Sequence, residues 1–425
     1  MGLPIKSVLG DEYIDYITIS IPFFLILTLI EFIYSIVRKK KMDYTITDSI
    51  GSFSTGLTTV ILDKLVPGTL AKSLEFICVI YIYKHHRLLT VDEDSKLASL
   101  ACLVLVDFGY YWFHRLAHEI NVLWSSHSTH HSSELYNLTT ALRQNAFQPY
   151  VSWVFYLPLG FFMPPGIFFF HKQFNTISQF WIHTKYIPKL GAIEWIFNTP
   201  SHHRVHHGRN PKYLDKNYAG LLIVWDRMFG TFQEEEEEVF YGLVEPINSF
   251  DPTWVQFHNL FKVYEKAGTM KTFGDKMKAI FYGPGWYPGL PRLGDNNLCP
   301  IPKESEKQGR VGYSLPGFMG LYIFIQFLLV SLGSLVLMVV FEKQLGHQNI
   351  SIMLTFLYIS FTTIGSISSR KEYAMIFELT RLISFILYTY DTPYMWLKVV
   401  RGFYLFSCIY IVGKIQNPFK KQKQV

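Results

Sequence analysis

Long apolar runs separated by short polar breaks dominate the chain. The first run, residues 16–37, is long enough to cross a bilayer, which takes roughly 20 residues. Arg38, Lys39, Lys40 and Lys41 follow it at once, and Glu31 sits inside it. A cleaved signal peptide carries its positive charge ahead of the apolar stretch, so this order predicts a signal anchor with its basic end in the cytosol. Weaker runs follow at 51–65 and 74–83, and a stronger one at 97–113. The run at 150–170 is broken by Pro158, Pro164 and Pro165, which predicts a kinked helical hairpin that enters the membrane and returns. From about 184 to 310 the pattern turns polar, with an acidic run at 234–238 and a Pro/Gly-rich piece at 283–289. That stretch is expected to form a water-exposed cap. Apolar runs resume at 316–341, 350–367, 373–390 and 394–415. The expected fold is an all-α multi-pass membrane protein. It divides into N-terminal membrane segments (1–97), a chemistry-bearing region with its cap (98–310) and C-terminal membrane segments (311–425).

Composition agrees with lipid as part of the solvent. Hydrophobic residues make up 49% and charged residues 17%, against about 25% charged in ordinary soluble proteins. The net charge of +6 gathers in short basic runs beside apolar segments, at 38–41 and 420–423. Runs so placed meet lipid headgroups or mark cytoplasmic loops, and nothing resembles a nucleic-acid module. Lys84-His85-His86-Arg87 falls on the non-cytosolic side in the simplest span count. That breaks the positive-inside tendency and keeps re-entrant segments in play. Cys78, Cys102, Cys299 and Cys408 form no CxxC and read as small apolar side chains rather than a disulfide framework.

The histidines change the picture most. His114 and His118 make an HxxxH; His127, His130 and His131 make an HxxHH; His203, His206 and His207 make a second HxxHH. His183 lies between the last two. Residues three or four apart share a helix face, so each cluster can aim several imidazoles at one metal and reach a second beside it. Imidazole suits iron, zinc, copper and nickel. With 15 histidines in 425 residues, chance predicts an HxxHH on the order of 0.02 times, and two are present. Nine ligands (His114, His118, His127, His130, His131, His183, His203, His206 and His207) suit two metals with open positions. His202 divides between a tenth ligand and a donor behind the ligands. Gln179, four residues before His183, divides between weak coordination and a helix-packing amide. Asp107, seven residues before His114, reads either as a carboxylate orienting an imidazole or as a buried structural acceptor. If 150–170 is a hairpin, all clusters share one side of the membrane, taken as the cytosolic face. A lipid rising from the bilayer can reach them there. A zinc transporter is disfavoured, because it would place ligands within its spans rather than just outside them.

At these residues the chain resembles the fatty acid hydroxylase superfamily, with its HxxxH, HxxHH and HxxHH motifs. The likeness is dense over about 107–260, and it is strongest to the glyceryl-ether-cleaving branch. HRLAHE from His114, HSTHHSSELYNLTTALRQ from His127, QFNTISQFWIHT from Gln173, NTPSHHRVHHGRNPKYLDKNYAG from Asn198 and LLIVWDRMFGTF from Leu221 carry it. The resemblance implies a di-iron monooxygenase of the endoplasmic reticulum that uses O2 and tetrahydrobiopterin. Its substrates would be alkylglycerols and lyso-alkylglycerophospholipids, hydroxylated at the ether-linked carbon. Zinc can replace iron on purification. The nine histidines match the ligands of that family, while Gln179 stands where other branches have a histidine. Glu134 and Asn137, after the second cluster, divide between holding a substrate headgroup or a ligand and capping a helix or loop. The alternative is a sterol or fatty acyl hydroxylase or desaturase fed by cytochrome b5. Lys421 and Lys423 resemble a retrieval signal for the endoplasmic reticulum, though in so basic a tail ordinary charge anchoring is the favoured reading. Asn137-Leu138-Thr139 is a glycosylation sequon expected to stay unused beside the site, and Asn349-Ile350-Ser351 is a second sequon. Oligomeric state is left open.

Overall fold

The computed structural model describes residues 14–38, 44–65, 69–306, 315, 317–341 and 345–415. Most of the basic run at 38–41, and the tail at 420–423 with Lys421 and Lys423, lie outside the described residues. The described chain is almost wholly helical, and its only β pairings are two isolated bridges, Phe197 with Leu222 and Gly208 with Tyr241. Five helices are long and apolar enough to cross a membrane: Tyr16–Val37, Lys96–Glu119, Gly317–Phe341, His347–Ser368 and Met395–Ile415. A multi-pass helical membrane protein is therefore what the chain forms.

Two compact units divide the chain: Met1–Ile247 with Gln256–Gly312, and Asn248–Val255 with Tyr313–Val425. The first begins with α1 (Tyr16–Val37), α2 (Ile46–Leu65), α3 (Thr69–His86) and α4 (Lys96–Glu119). Ser95 caps α4 by accepting the amide of Ala98. Its 24 residues reach about 36 Å at 1.5 Å per residue. That exceeds the roughly 30 Å of a hydrocarbon core, so its last turn can stand clear of the lipid.

The proline-broken stretch is divided into two helical pieces. A short helix, Gln148–Ser152, and a 3-10 stretch, Trp153–Phe161, lead into α5 (Pro165–Ser178), with Pro165 in the first turn where its missing N–H costs nothing. Val79, Cys102, Val106, Tyr156 and Phe168 pack together where α3, α4 and these two pieces meet. Phe76 stacks on Phe169 with centroids 3.7 Å apart.

Two buried carboxylates tie these helices to the loops above. Glu31 in α1 accepts the amide of Leu138 at 2.8 Å and the hydroxyls of Thr184 and Tyr44. Asp107 in α4 accepts the amides of Leu221 and Leu222 at 2.7 and 2.9 Å, the indole of Trp225 at 2.9 Å and the amide of Asn175 at 2.7 Å. A carboxylate saturated by four donors is stable where a bare one would not be. Asp107 thus pins a loop and touches no imidazole, which settles its two readings in favour of the structural acceptor.

The second unit is built on helices Gly317–Val336, His347–Ser368, Ala374–Tyr388 and Met395–Ile415. Arg381 and Glu378 form a fully buried ion pair inside it. The guanidinium also donates to Gln326 at 2.7 Å and to Tyr404 at 3.1 Å, and Tyr322 donates to Glu378. In an apolar helix bundle such a pair survives only when every donor and acceptor is met.

Candidate metal centre

The site begins at the last two turns of α4, which bring His114 and His118 to one face, four residues apart. The chain then turns sharply through 125–129 into a 3-10 helix, His130–Ser132. The second cluster is therefore tighter than an α-helix. The third cluster lies on a short helix, α6 (Pro200–His206), with His207 as its C-cap.

The eight motif histidines and His183 are all buried and sort into two groups. His114, His118, His127, His131 and His206 form one; His130, His183, His203 and His207 form the other. Within each group, one ring nitrogen per residue lies within 4.8 Å of all the others. Each HxxHH is split: its outer pair serves one group and its middle histidine the other. The groups adjoin, with the rings of His131 and His207 stacked 4.3 Å apart.

Main-chain carbonyls orient the rings. Nδ1 of His114 donates to Tyr218 at 2.7 Å, Nδ1 of His130 to Arg143 at 3.2 Å, Nδ1 of His183 to Gln179 at 2.8 Å, and Nδ1 of His206 to Lys216 at 2.9 Å. A carbonyl only accepts, so Nδ1 carries the proton and Nε2 presents a bare lone pair. The Nε2 atoms of the clustered histidines face one another. His114 and His127 approach to 2.8 Å, His183 and His130 to 3.1 Å, His203 and His183 to 3.0 Å, and His207 and His203 to 3.2 Å. Nε2 of His118 and of His206 are buried without a hydrogen-bond partner. Lone pairs that converge in a dry pocket need a cation between them. Two nitrogens at right angles on a metal, with bonds of about 2.1 Å, lie roughly 3 Å apart. The donor set fits a pair of metal ions.

Burial, reinforced by the neighbouring imidazoles, holds His127, His131, His183, His203 and His207 well below the ordinary histidine range. Burial pushes His130 down to about 4 and His206 to about 3. These rings are neutral at physiological pH, as ligands must be.

The loop 215–219 supplies two of the carbonyl braces. Asp215 and Asn217 adopt left-handed backbone, with φ of 59° and 55°, which Asp and Asn tolerate better than most residues. The kinks aim Lys216 at His206 and Tyr218 at His114. Asp226, fully buried, fixes the loop by accepting the amides of Tyr218 and Ala219, each at 2.8 Å. The carboxylate of Asp215 stands 3.6 Å from Nδ1 of His118. No motif flags any of these braces, because carbonyls carry no sequence signature.

The remaining candidates lie outside both groups. His202 is buried with its ring against Phe232 and its Nδ1 unpartnered. The Gln179 amide donates to Asn175, and only the Gln179 main chain reaches His183. Asn137 is buried and caps the 3-10 turn Leu138–Leu142 by accepting from Thr139, so its sequon is sterically closed. Glu134 is half-buried near Asp48 and Arg143.

Comparison with known proteins places this geometry in context. The family model for fatty acid hydroxylases matches residues 99–231. The chain is 42% identical to alkylglycerol monooxygenase of Homo sapiens over 89% of its length and 83% of that protein's. It is 41% identical to alkylglycerol monooxygenase of Xenopus tropicalis, covering 91% and 86%. A Delta(7)-sterol-C5(6)-desaturase of Nicotiana tabacum is more distant, 29% identical over 32% of this chain and 49% of that one. No solved structure matches the chain.

Proposed function

The chain belongs to the alkylglycerol monooxygenase family, and on that footing we propose that it hydroxylates the ether-linked carbon of alkylglycerols and lyso-alkylglycerophospholipids. The reaction would use O2, two iron ions and tetrahydrobiopterin, at the cytosolic face of the endoplasmic reticulum. Hydroxylation there gives a hemiacetal, which falls apart into a fatty aldehyde and the glycerol derivative. The observation that carries the reading is the convergence of bare Nε2 lone pairs in two adjoining buried groups. His114, His118, His127, His131 and His206 would hold one ion; His130, His183, His203 and His207 the other.

Iron supplies the oxidising power that an unactivated C–H bond demands and no side chain possesses. The chain's own residues hold and position. The carbonyls of Tyr218, Arg143, Gln179 and Lys216 lock four rings in one tautomer. Burial keeps water from the ligands. The apolar part of α4 ends at Phe113, beside His114, so a lipid tail can stay in the bilayer while its ether carbon meets the site. The pterin rests on family likeness, and no side chain is assigned to it.

The test is aldehyde release by detergent-purified, iron-loaded protein given an alkylglycerol, O2 and tetrahydrobiopterin. Aldehyde should form, and should vanish when pterin is omitted or in His131→Ala. Product from a sterol or fatty acyl substrate with cytochrome b5 and its reductase, and none from the ether, would move the site to that chemistry.

A further inference from the structure

The water-exposed cap expected over 184–310 contains a surface that does not suit water. Between Leu190 and Phe197 the chain makes a tight turn, with a 3-10 stretch at Gly191–Trp195, and turns its apolar side chains outward. Ile193 is 50% exposed, Trp195 68% and Ile196 53%. The one acid in the turn is folded inward, where Glu194 accepts the amide of Leu190 and the hydroxyls of Thr199 and Ser201. Charge is thus withdrawn from the face that apolar groups occupy, the reverse of a solvated loop.

The patch extends onto a second segment. Arg227 lies over the Trp195 ring at 4.7 Å and donates to the Glu194 carbonyl, and Phe197 bridges Leu222. Met228, 66% exposed, and Phe229 follow. Phe229 in turn lies against α4, with its ring 5.1 Å from Trp112 and 5.4 Å from Tyr111. Trp112 and Tyr111 belong to the apolar part of a helix long enough to cross the membrane. They precede His114 by two and three residues, or roughly 3–5 Å of rise. Tyr111 is buried and Trp112 half-buried, so the exposed patch packs onto the His114 end of that candidate span.

We propose that the 190–197 turn, with Met228 and Phe229, is inserted into the lipid bilayer as an interfacial wedge beside the metal centre. Continuity with α4 identifies the occupant as lipid. Trp195 supplies the amphipathic ring favoured at headgroup depth, and Arg227 holds that ring from the protein side. Ile193, Ile196 and Met228 supply apolar area of the kind that anchors interfacial segments.

The test uses the full chain in phosphatidylcholine/phosphatidylserine nanodiscs, with its native cysteines replaced and a nitroxide placed at Ile196→Cys or Met228→Cys. Collision with oxygen relative to a water-soluble nickel chelate should be severalfold higher at both sites than at Lys212→Cys, an exposed position paired with Glu236. Ratios equal to the Lys212 site would overturn the proposal. So would protection from both reagents, which would mean that protein covers the patch. A second measurement needs no label: brominated lipid should quench part of the tryptophan emission, and the quenched part should be smaller in Trp195→Phe. Quenching unchanged by the substitution would count against insertion.

Discussion

Main-chain carbonyls fix the far nitrogens of His114, His130, His183 and His206 and so set the tautomer of those four rings. His203→Ala removes the central member of the four-histidine group, whose Nε2 meets both His183 and His207. It should lower the iron content by about one ion per chain and abolish aldehyde release, read by elemental analysis beside the activity assay. Asp226→Asn loses one acceptor for the amides of Tyr218 and Ala219 while leaving every ligand in place. Metal affinity should fall roughly 10-fold, measured by competition with a chelator. The acid response has a definite sign. His130 and His206 are held at about 4 and about 3, below the ordinary 6.5, so the unfolded chain takes up protons that the folded one refuses. Metal-free protein should keep this stability above about pH 6.5 and lose it as pH falls, giving a lower melting temperature at pH 5.5 than at pH 7.5. At this scale eight of the grouped histidines were legible from their motif spacing and His183 from its place between two motifs, since ligand chemistry is written in side chains. Their braces were not, because any residue can offer a carbonyl. The division of each HxxHH between the two groups was hidden for a related reason. It depends on the 3-10 turn at His130–Ser132 and on where α6 is docked.

Among the elements, α4 and the 219–225 segment form the rigid junction. Gly220 has no room for a side chain: a Cβ there would lie 2.8 Å from the Tyr110 ring and 2.9 Å from the Asp107 carboxylate. Gly220→Ala should therefore strip donors from Asp107 and lower the melting temperature. Asp107→Ala should cost more, about 1–3 kcal/mol for each buried donor left unmet, with a clear loss of folded yield on size exclusion. The hydropathy pattern located this junction's helix and gave Tyr16–Val37 its observed limits, because bilayer-spanning runs have a length set by the lipid. The prolines of 150–170 predicted the break that precedes α5. What the pattern averaged away was the 190–197 turn. Its apolar residues are too few to stand out within a charged stretch, and Glu194 masks them until its inward bonds are seen.

Across the molecule, two units follow different rules. The first is organised around buried histidines and the carboxylates Glu31, Asp107 and Asp226. The second is organised around Arg381 and Glu378, whose isolated charges would be costly in an apolar bundle. Arg381→Leu leaves Glu378 without its cation and should destabilise the chain by about 3–5 kcal/mol. Arg381→Leu with Glu378→Gln should be milder, as thermal unfolding in detergent would show. The apolar runs after residue 316 announced these helices, but the ion pair depends on how they pack, and its partners Gln326 and Tyr404 lie 55 and 23 residues away. The central claim is that the three histidine motifs build two metal sites in one chain, and the direct measurement is the iron content of reconstituted protein after unbound metal is removed. The account predicts two ions per wild-type chain and about one in His203→Ala. One ion or none in active wild-type protein, or a content that His203→Ala leaves unchanged, would contradict it.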